Sequence, residues 1–163
     1  MSEVILRPAT IDDGEDIVTL NASSVAVTSP MDNKRFRQLF DLCAITIVAD
    51  IDEEVVGFLM GFTDDSVYDN GNYRWFAERL KRFVYIDRVV VSESCRSSGV
   101  GRAFYSHIQF WAKNADLLSI AAEMDVDPPN TVSLNFHHKA GFVQIGTRML
   151  DSGKVVSTQI RCL

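Results

Sequence analysis

The chain has 163 residues, 47% of them apolar and 23% charged, and a formal net charge of −6. That length suits one domain with its own core, and the acidic balance argues against nucleic acid, whose binding draws on basic surface. The three cysteines, Cys43, Cys95 and Cys162, are odd in number and widely spaced, which suggests neither a disulfide framework nor a zinc site.

No apolar run approaches the roughly 18 residues of a membrane span. The first residues, MSEVILRP, lack the basic start and apolar stretch of a signal peptide. Together with the cysteine pattern, this leads us to expect a cytoplasmic protein with no membrane association.

In chain order, residues 4–7 read as a short strand ended by Pro8. Thr10 or Asp12 can cap a helix reaching about Ser23, with Ile11, Ile17, Val18 and Leu20 as its apolar stripe. Thr28-Ser29-Pro30 supplies turn chemistry. A second helix is predicted over residues 31–43, with Phe36, Leu39, Phe40 and Cys43 on one face. Residues 44–51 and 55–63 then form a hairpin around Asp52-Glu53-Glu54.

Residues 64–82 interrupt the pattern with a long, polar, aromatic-bearing excursion. Excursions of this length are often functional in compact domains. Residues 74–82 could be a short helix, and Tyr73, Trp75 and Phe76 could line a lid or substrate wall. A plain surface loop is the other reading.

An apolar strand follows over residues 85–91, broken at Ser92, and Arg96-Ser97-Ser98-Gly99-Val100-Gly101-Arg102 opens into an amphipathic helix. That helix carries Val100, Ala103, Phe104, His107, Ile108, Trp111 and Ala112 on its apolar face and ends near Asn114. A strand at 118–124, a loop at 125–129, and a short helix capped by Asn130 or Thr131 and stopped by Gly141 come next. Residues 142–150 and 155–161 close the chain as a hairpin. The order is β-α-α-β-β-β-α-β-α-β-β, an α/β (α+β) domain over residues 1–163 with a central mixed sheet flanked by helices.

Strand, glycine loop and helix N-terminus together bind phosphate, because loop amides and the helix dipole point at one anion. Gly99 and Gly101 admit close backbone approach, and Arg96 and Arg102 add charge. A nucleotide P-loop needs Lys and then Ser/Thr after its last glycine, but Arg102-Ala103 stands here. A dinucleotide fingerprint fails too, because Ala103 falls one position early.

A second motif gives the loop its meaning. Asn130-x-x-Ser133-x-x-x-His137-x-x-x-Gly141-Phe142 closely resembles the N-x-x-A/S-x-x-x-Y/H-x-x-x-G-F signature of the GNAT superfamily of N-acetyltransferases. Val91, Arg96, Gly99 and Gly101 match that superfamily's V-x-x-x-x-R-x-x-G-x-G loop. The resemblance implies a mostly antiparallel sheet and acetyl-CoA as cosubstrate. It implies that the amides of residues 97–102 hold the pyrophosphate, and that Val89, Val90 and Val91 offer an open strand edge to the pantetheine. It also implies a role for Asn130 and Ser133 beside that arm, and a homodimer as one option.

The expected reaction is acetyl transfer to a primary amine by direct attack in a ternary complex, with no metal. The acceptor is a small amine or an amino-acid-like molecule; a protein N-terminus or lysine is the alternative. A CoA-binding module without turnover is the reading from another class. His137 stands where many relatives carry an acid tyrosine, and an imidazole could act as acid or base. Its plainer reading is a helix histidine bonded to a carbonyl. His138 is the weaker candidate, His107 reads as a core histidine, and Lys139 either reaches the cofactor or lies on a solvated helix face.

Asp87 interrupts an apolar strand, where a carboxylate needs a partner or a chemical role. Strict alternation puts it on the face of Tyr85 and Val89, and Arg88 on the other. We expect Asp87 to bind or deprotonate the amine, with Trp75, Tyr85 and Glu123 at the acceptor; structural ion pairing is the other reading.

Overall fold

Three apolar runs form the middle of the sheet because they are buried on both faces: β2 (Ile45–Ile51), β3 (Glu54–Thr63) and β4 (Phe83–Val91). The computed structural model describes residues 2–24 and 28–163. The remaining strands are β1 (Ile5–Pro8), β5 (Ser119–Asp127), β6 (Val143–Met149) and β7 (Val155–Cys162). All seven join one sheet in the order β1-β2-β3-β4-β5-β7-β6. Every pairing is antiparallel except β4 with β5. The mixed sheet of a GNAT-like α/β domain is therefore present.

Helices cover both faces. On one lie α1 (Gly14–Ala22), α2 (Asn33–Leu42) and α3 (Gly71–Ala77), whose Ile17, Phe36, Leu39, Tyr73 and Phe76 pack on Phe58, Met60, Phe62 and Tyr85 of the sheet. On the other lie α4 (Val100–Asn114) and α5 (Thr131–Lys139), packed against Ile45, Ile47, Leu59, Val84, Ile86 and Ile120. No described helix is long and apolar enough to cross a membrane.

Local chemistry explains where the helices start. Thr10, one of the two expected caps, starts the helical turn ahead of α1, and Asp13 completes the capping box by accepting from the Thr10 amide at 2.7 Å. Asp32 caps α2, accepting from the Arg35 amide at 2.7 Å. Asn70 caps α3, accepting from the Tyr73 amide at 3.0 Å. That cap corrects the expected helix at 74–82: α3 begins earlier, because Asn70 supplies the acceptor its first turn needs.

Tyr73 and Phe76 are also corrected. Both are buried in the core, with Tyr73 donating its hydroxyl to the Thr63 carbonyl at 2.6 Å, so neither lines a lid. The apolar face of α4 is centred on Phe104, Tyr105 and Ile108, and His107 is only half-buried. β5 runs to Asp127, past the expected end at Met124.

β3 and β4 must approach closely for the sheet to form as it does. A Cβ added at Gly57 would lie 2.8 Å from the Val90 carbonyl oxygen and 3.1 Å from the Phe104 ring. Gly57→Ala is therefore expected to cost about 1–3 kcal/mol as overpacking. Chemical denaturation checks this; an unchanged midpoint would show that β4 yields freely here.

Candidate active site

β4 and β5 start as a parallel pair and then part. Only Phe83, Val84 and Tyr85 pair with Ser119, Ile120 and Ala121. Past that point β5 pairs with β7 alone, and β4 pairs with β3 alone. The cause lies in β4 itself. Met60 faces Arg88 while Gly61 faces Ile86, which leaves Asp87 as an extra residue in a β-bulge. A bulge bends its strand and sharpens the twist, so β4 turns away from β5 just after Tyr85. Val89, Val90 and Val91 keep β3 on one side and carry no strand on the other.

The bulge overturns the simple alternation expected for this strand. Arg88 turns to the α1 side, where its Nη1 donates to Asn21 Oδ1 at 2.9 Å and to the Ser29 carbonyl at 2.6 Å. Its Nε lies 3.2 Å from Asp87 Oδ2, so Arg88 is the partner of Asp87 after all. Val89 packs with the α4-side core, while Tyr85 packs with the other core.

A cavity of about 280 Å³ opens at this fork. Asp87, Arg88, Glu123, Asn72, Asp125 and Lys154 are among its walls. Lys154 Nζ sits 3.0 Å from Asp125 Oδ2, so two of the three carboxylates have basic partners. Glu123 does not. Its Oε1 accepts from Tyr85 Oη at 2.9 Å and from Asn72 Nδ2 at 3.0 Å. Its Oε2 has no partner among the described residues. Burial, reinforced by the neighbouring Asp87 charge, pushes the Glu123 carboxyl up to about 8. Burial raises Asp87 as well, against the opposing pull of Arg88. Desolvation holds the Tyr85 hydroxyl neutral, well above its usual range.

At the far end of β4 the glycine loop reaches α4. Ser97 and Gly99 take positive φ, 78° and 83°. Gly99 is the N-cap of α4, and a Cβ there would meet nothing within 4 Å. The first amides of a helix have no intrahelical acceptor. Arg96, Ser97, Ser98, Gly99 and Arg102 are all exposed, while Val100 is buried as an anchor in the core. An open strand edge leading into an exposed, positively polarised loop fits a long ligand with a phosphate end.

The other expected residues fall as follows. Asn130 caps α5, its Oδ1 accepting from the Ser133 amide at 3.2 Å. His137 is buried between α4 and α5. Its Nδ1 lies 2.7 Å from the Ser133 carbonyl, which can only accept, so Nδ1 carries the proton. Nε2 then accepts from Tyr105 Oη at 2.6 Å. Both ring nitrogens are thus engaged, and burial lowers the imidazole's proton affinity. This geometry gives His137 a structural bond rather than a free nitrogen for acid–base work. Trp75 does not line the cavity; it lies under the Arg79 guanidinium, 4.0 Å from ring centroid to Cζ, and against Gly146.

Asn72, Arg148 and Tyr105 carry no mark in the sequence. Each acts across elements distant in the chain, and no local spacing signals such a contact.

Residues 16–142 match the Acetyltransferase (GNAT) family, and the chain belongs to that family. Among curated proteins none matches. Ard1 from Thermoplasma volcanium is similar in structure, with TM-score 0.80 at 20% identity, covering 98% of this chain and 97% of that one. The ribosomal-protein-alanine N-acetyltransferase of Brucella melitensis gives 0.74 at 17% identity, covering 98% and 99%. YncA from Salmonella typhimurium, solved with its cofactor acetyl-CoA, gives 0.74 at 18% identity, covering 99% and 95%. At these identities the likeness is one of fold.

The buried carboxyl carries a stability signature. An unfolded glutamate ionises near 4.5, whereas Glu123 in the fold holds its proton to about 8. The fold binds the extra proton between these values, so this contribution is full below about 4.5 and is lost as pH rises through about 8. Glu123→Gln keeps the neutral form at every pH. Thermal melts should therefore show the variant gaining several degrees on the wild type between pH 5 and pH 9. Parallel melting curves would show that Glu123 is already ionised in the fold at neutral pH.

Proposed function

We propose that this GNAT-family chain transfers an acetyl group from acetyl-CoA to a small primary amine or an amino-acid-like molecule, by direct attack in a ternary complex. The observation that carries this reading is the fork. It sets an unpaired strand edge beside a cavity that holds a carboxyl with an unpartnered oxygen. The cavity, about 280 Å³, suits a small acceptor.

Acetyl-CoA supplies the activated acetyl group. The amides of Ser97, Ser98, Gly99, Val100, Gly101 and Arg102, with the Arg96 and Arg102 side chains, would hold its pyrophosphate. Val89, Val90 and Val91 would take the pantetheine by strand addition, with Asn130 and Ser133 alongside. An exposed β4 amide is suited to polarising the thioester carbonyl, because a fixed donor stabilises charge as it develops.

An amine reaches the site as an ammonium ion and must lose a proton before it can attack. Asp87 and Glu123 attract it. A cation beside Glu123 favours the ionised carboxylate, and Glu123 then takes the proton, so it joins Asp87 as the acid–base group. The N–C bond forms as the C–S bond breaks. The ammonium loses two protons in all: the first goes to Glu123 and on to solvent, and the second, lost as the amide forms, balances the one that the thiolate takes up. Tyr85 keeps Glu123 in place, and His137 serves to join α5 to α4.

Free-thiol release from acetyl-CoA against an amine panel tests this. Glu123→Gln is expected to lower kcat/KM by about 10²–10⁴. Asp87→Asn should weaken acceptor affinity. Arg96→Ala should raise the KM for acetyl-CoA about tenfold with kcat little changed. Tight CoA binding without thiol release for any amine, peptide or lysate fraction would instead make the chain a binding module. Turnover confined to peptides would move the acceptor to protein N-termini or lysines.

A further inference from the structure

The excursion between β3 and β4 reaches the cavity through Asn70 and Asn72, and Asn72 is the one that bonds Glu123. Its side chain stands between two groups that decide which way its amide faces. Arg148, from the edge strand β6, donates through Nη1 to Asn72 Oδ1 at 2.6 Å. A guanidinium can only donate, so the amide oxygen must face Arg148. That turns Nδ2 towards Glu123, where it donates to Oε1 at 3.0 Å. A flipped amide would set its oxygen against a carboxyl oxygen. Among the described residues the Arg148 side chain hydrogen-bonds to nothing else.

Room for this arrangement comes from Gly71. A Cβ at that position would stand 2.5 Å from Arg148 Nη2 and 3.1 Å from its Cζ. The bare glycine lets the guanidinium lie against the start of α3. Three elements thus converge on one carboxyl oxygen: Arg148 from β6, Asn72 from α3, and Tyr85 from β4. Both fixed donors go to Oε1, and Oε2 receives none.

We propose that Arg148 and Asn72 are positioning residues for acetyl transfer: Arg148 locks the Asn72 amide, which orients the Glu123 carboxyl that takes the proton. This rests on Glu123 being the base. The 64–82 excursion then serves to hold the base rather than to cover the acceptor. The edge strand β6 is tied to the chemistry in the same way.

A donor bond to a carboxylate favours the ionised form, so losing it must raise the pH at which Glu123 becomes a base. The other groups around Glu123 stay in place: Tyr85 and Asp87 on β4, and Asp125 beside it on β5 with its partner Lys154. The measurement is amine kcat/KM against pH, with acetyl-CoA binding as the check that each variant folds. In Asn72→Ala the acid limb should move up by about one pH unit. Arg148→Met should move it the same way by less, and the double variant no further than Asn72→Ala alone. Gly71→Ala should act like Arg148→Met. Its new methyl meets only the end of a flexible side chain, so it displaces Arg148 without disturbing the fold, and it carries the test if Arg148→Met fails to bind acetyl-CoA.

A limb that stays put while the rate falls evenly at every pH would overturn the proposal. So would additive shifts in the double variant. Glu123→Gln separates the two readings. If it leaves the limb in place, Glu123 is not the base; if it removes the limb while Asn72→Ala does not shift it, only the positioning role fails.

Discussion

One extra residue in β4 shapes the whole site. Because Asp87 has no opposite number on β3, the strand bends just after its last pair with β5. Two strands that begin as neighbours then diverge, and the sheet opens without losing its frame. β4 stays tied to β3 through Val89, Val90 and Val91, and β5 stays tied to β7. The backbone groups facing the gap are the ones that an extended ligand can use. The cost of an interrupted ladder is localised, since both flanks of the sheet keep their pairing and both cores stay closed.

The same bulge puts ionisable groups where a strand normally buries apolar ones. Asp87 and Arg88 both turn into the α1–α3 side and pair with each other. Glu123, on the strand across the fork, has no cation of its own. A buried carboxyl without a cation keeps its proton into the neutral range, which is the condition an acid–base group needs at working pH. Neighbouring Asp125 differs because Lys154 reaches it. The contrast between three carboxylates within one cavity follows from which of them a basic side chain can reach.

On the other face, α4 and α5 are joined through Tyr105 and His137. This bond lies behind the glycine loop, and Phe136 packs within 3.6 Å of the position a Cβ would take on Gly101. The loop is exposed to solvent but rests on an ordered pair of helices. An exposed anion site with a fixed backbone does not have to be ordered when its ligand arrives.

The element order apart from α3 between β3 and β4, the glycine loop and its helix, the Asn130 cap, and the family through two motifs at the right distance were legible in the amino-acid sequence. These are local properties: periodicity, caps and turn residues act over a few positions, and the loop's chemistry belongs to adjacent amides. Asp87 also stood out as a carboxylate out of place. What those residues touch came only with the fold. Alternation placed Arg88 on the wrong face because a bulge, set by register against β3, resets the period. His137 had two readings, an acid–base group or a helix histidine bonded to a carbonyl, until Ser133 and then Tyr105, 32 positions away, met its ring. Tyr73 and Phe76 looked like a wall until Asn70 started the helix that buries them. Asn72 and Arg148, 76 positions apart, form a pair that no spacing rule contains. Side-chain partners across a sheet depend on register and twist, and those are settled by the packing of the whole chain.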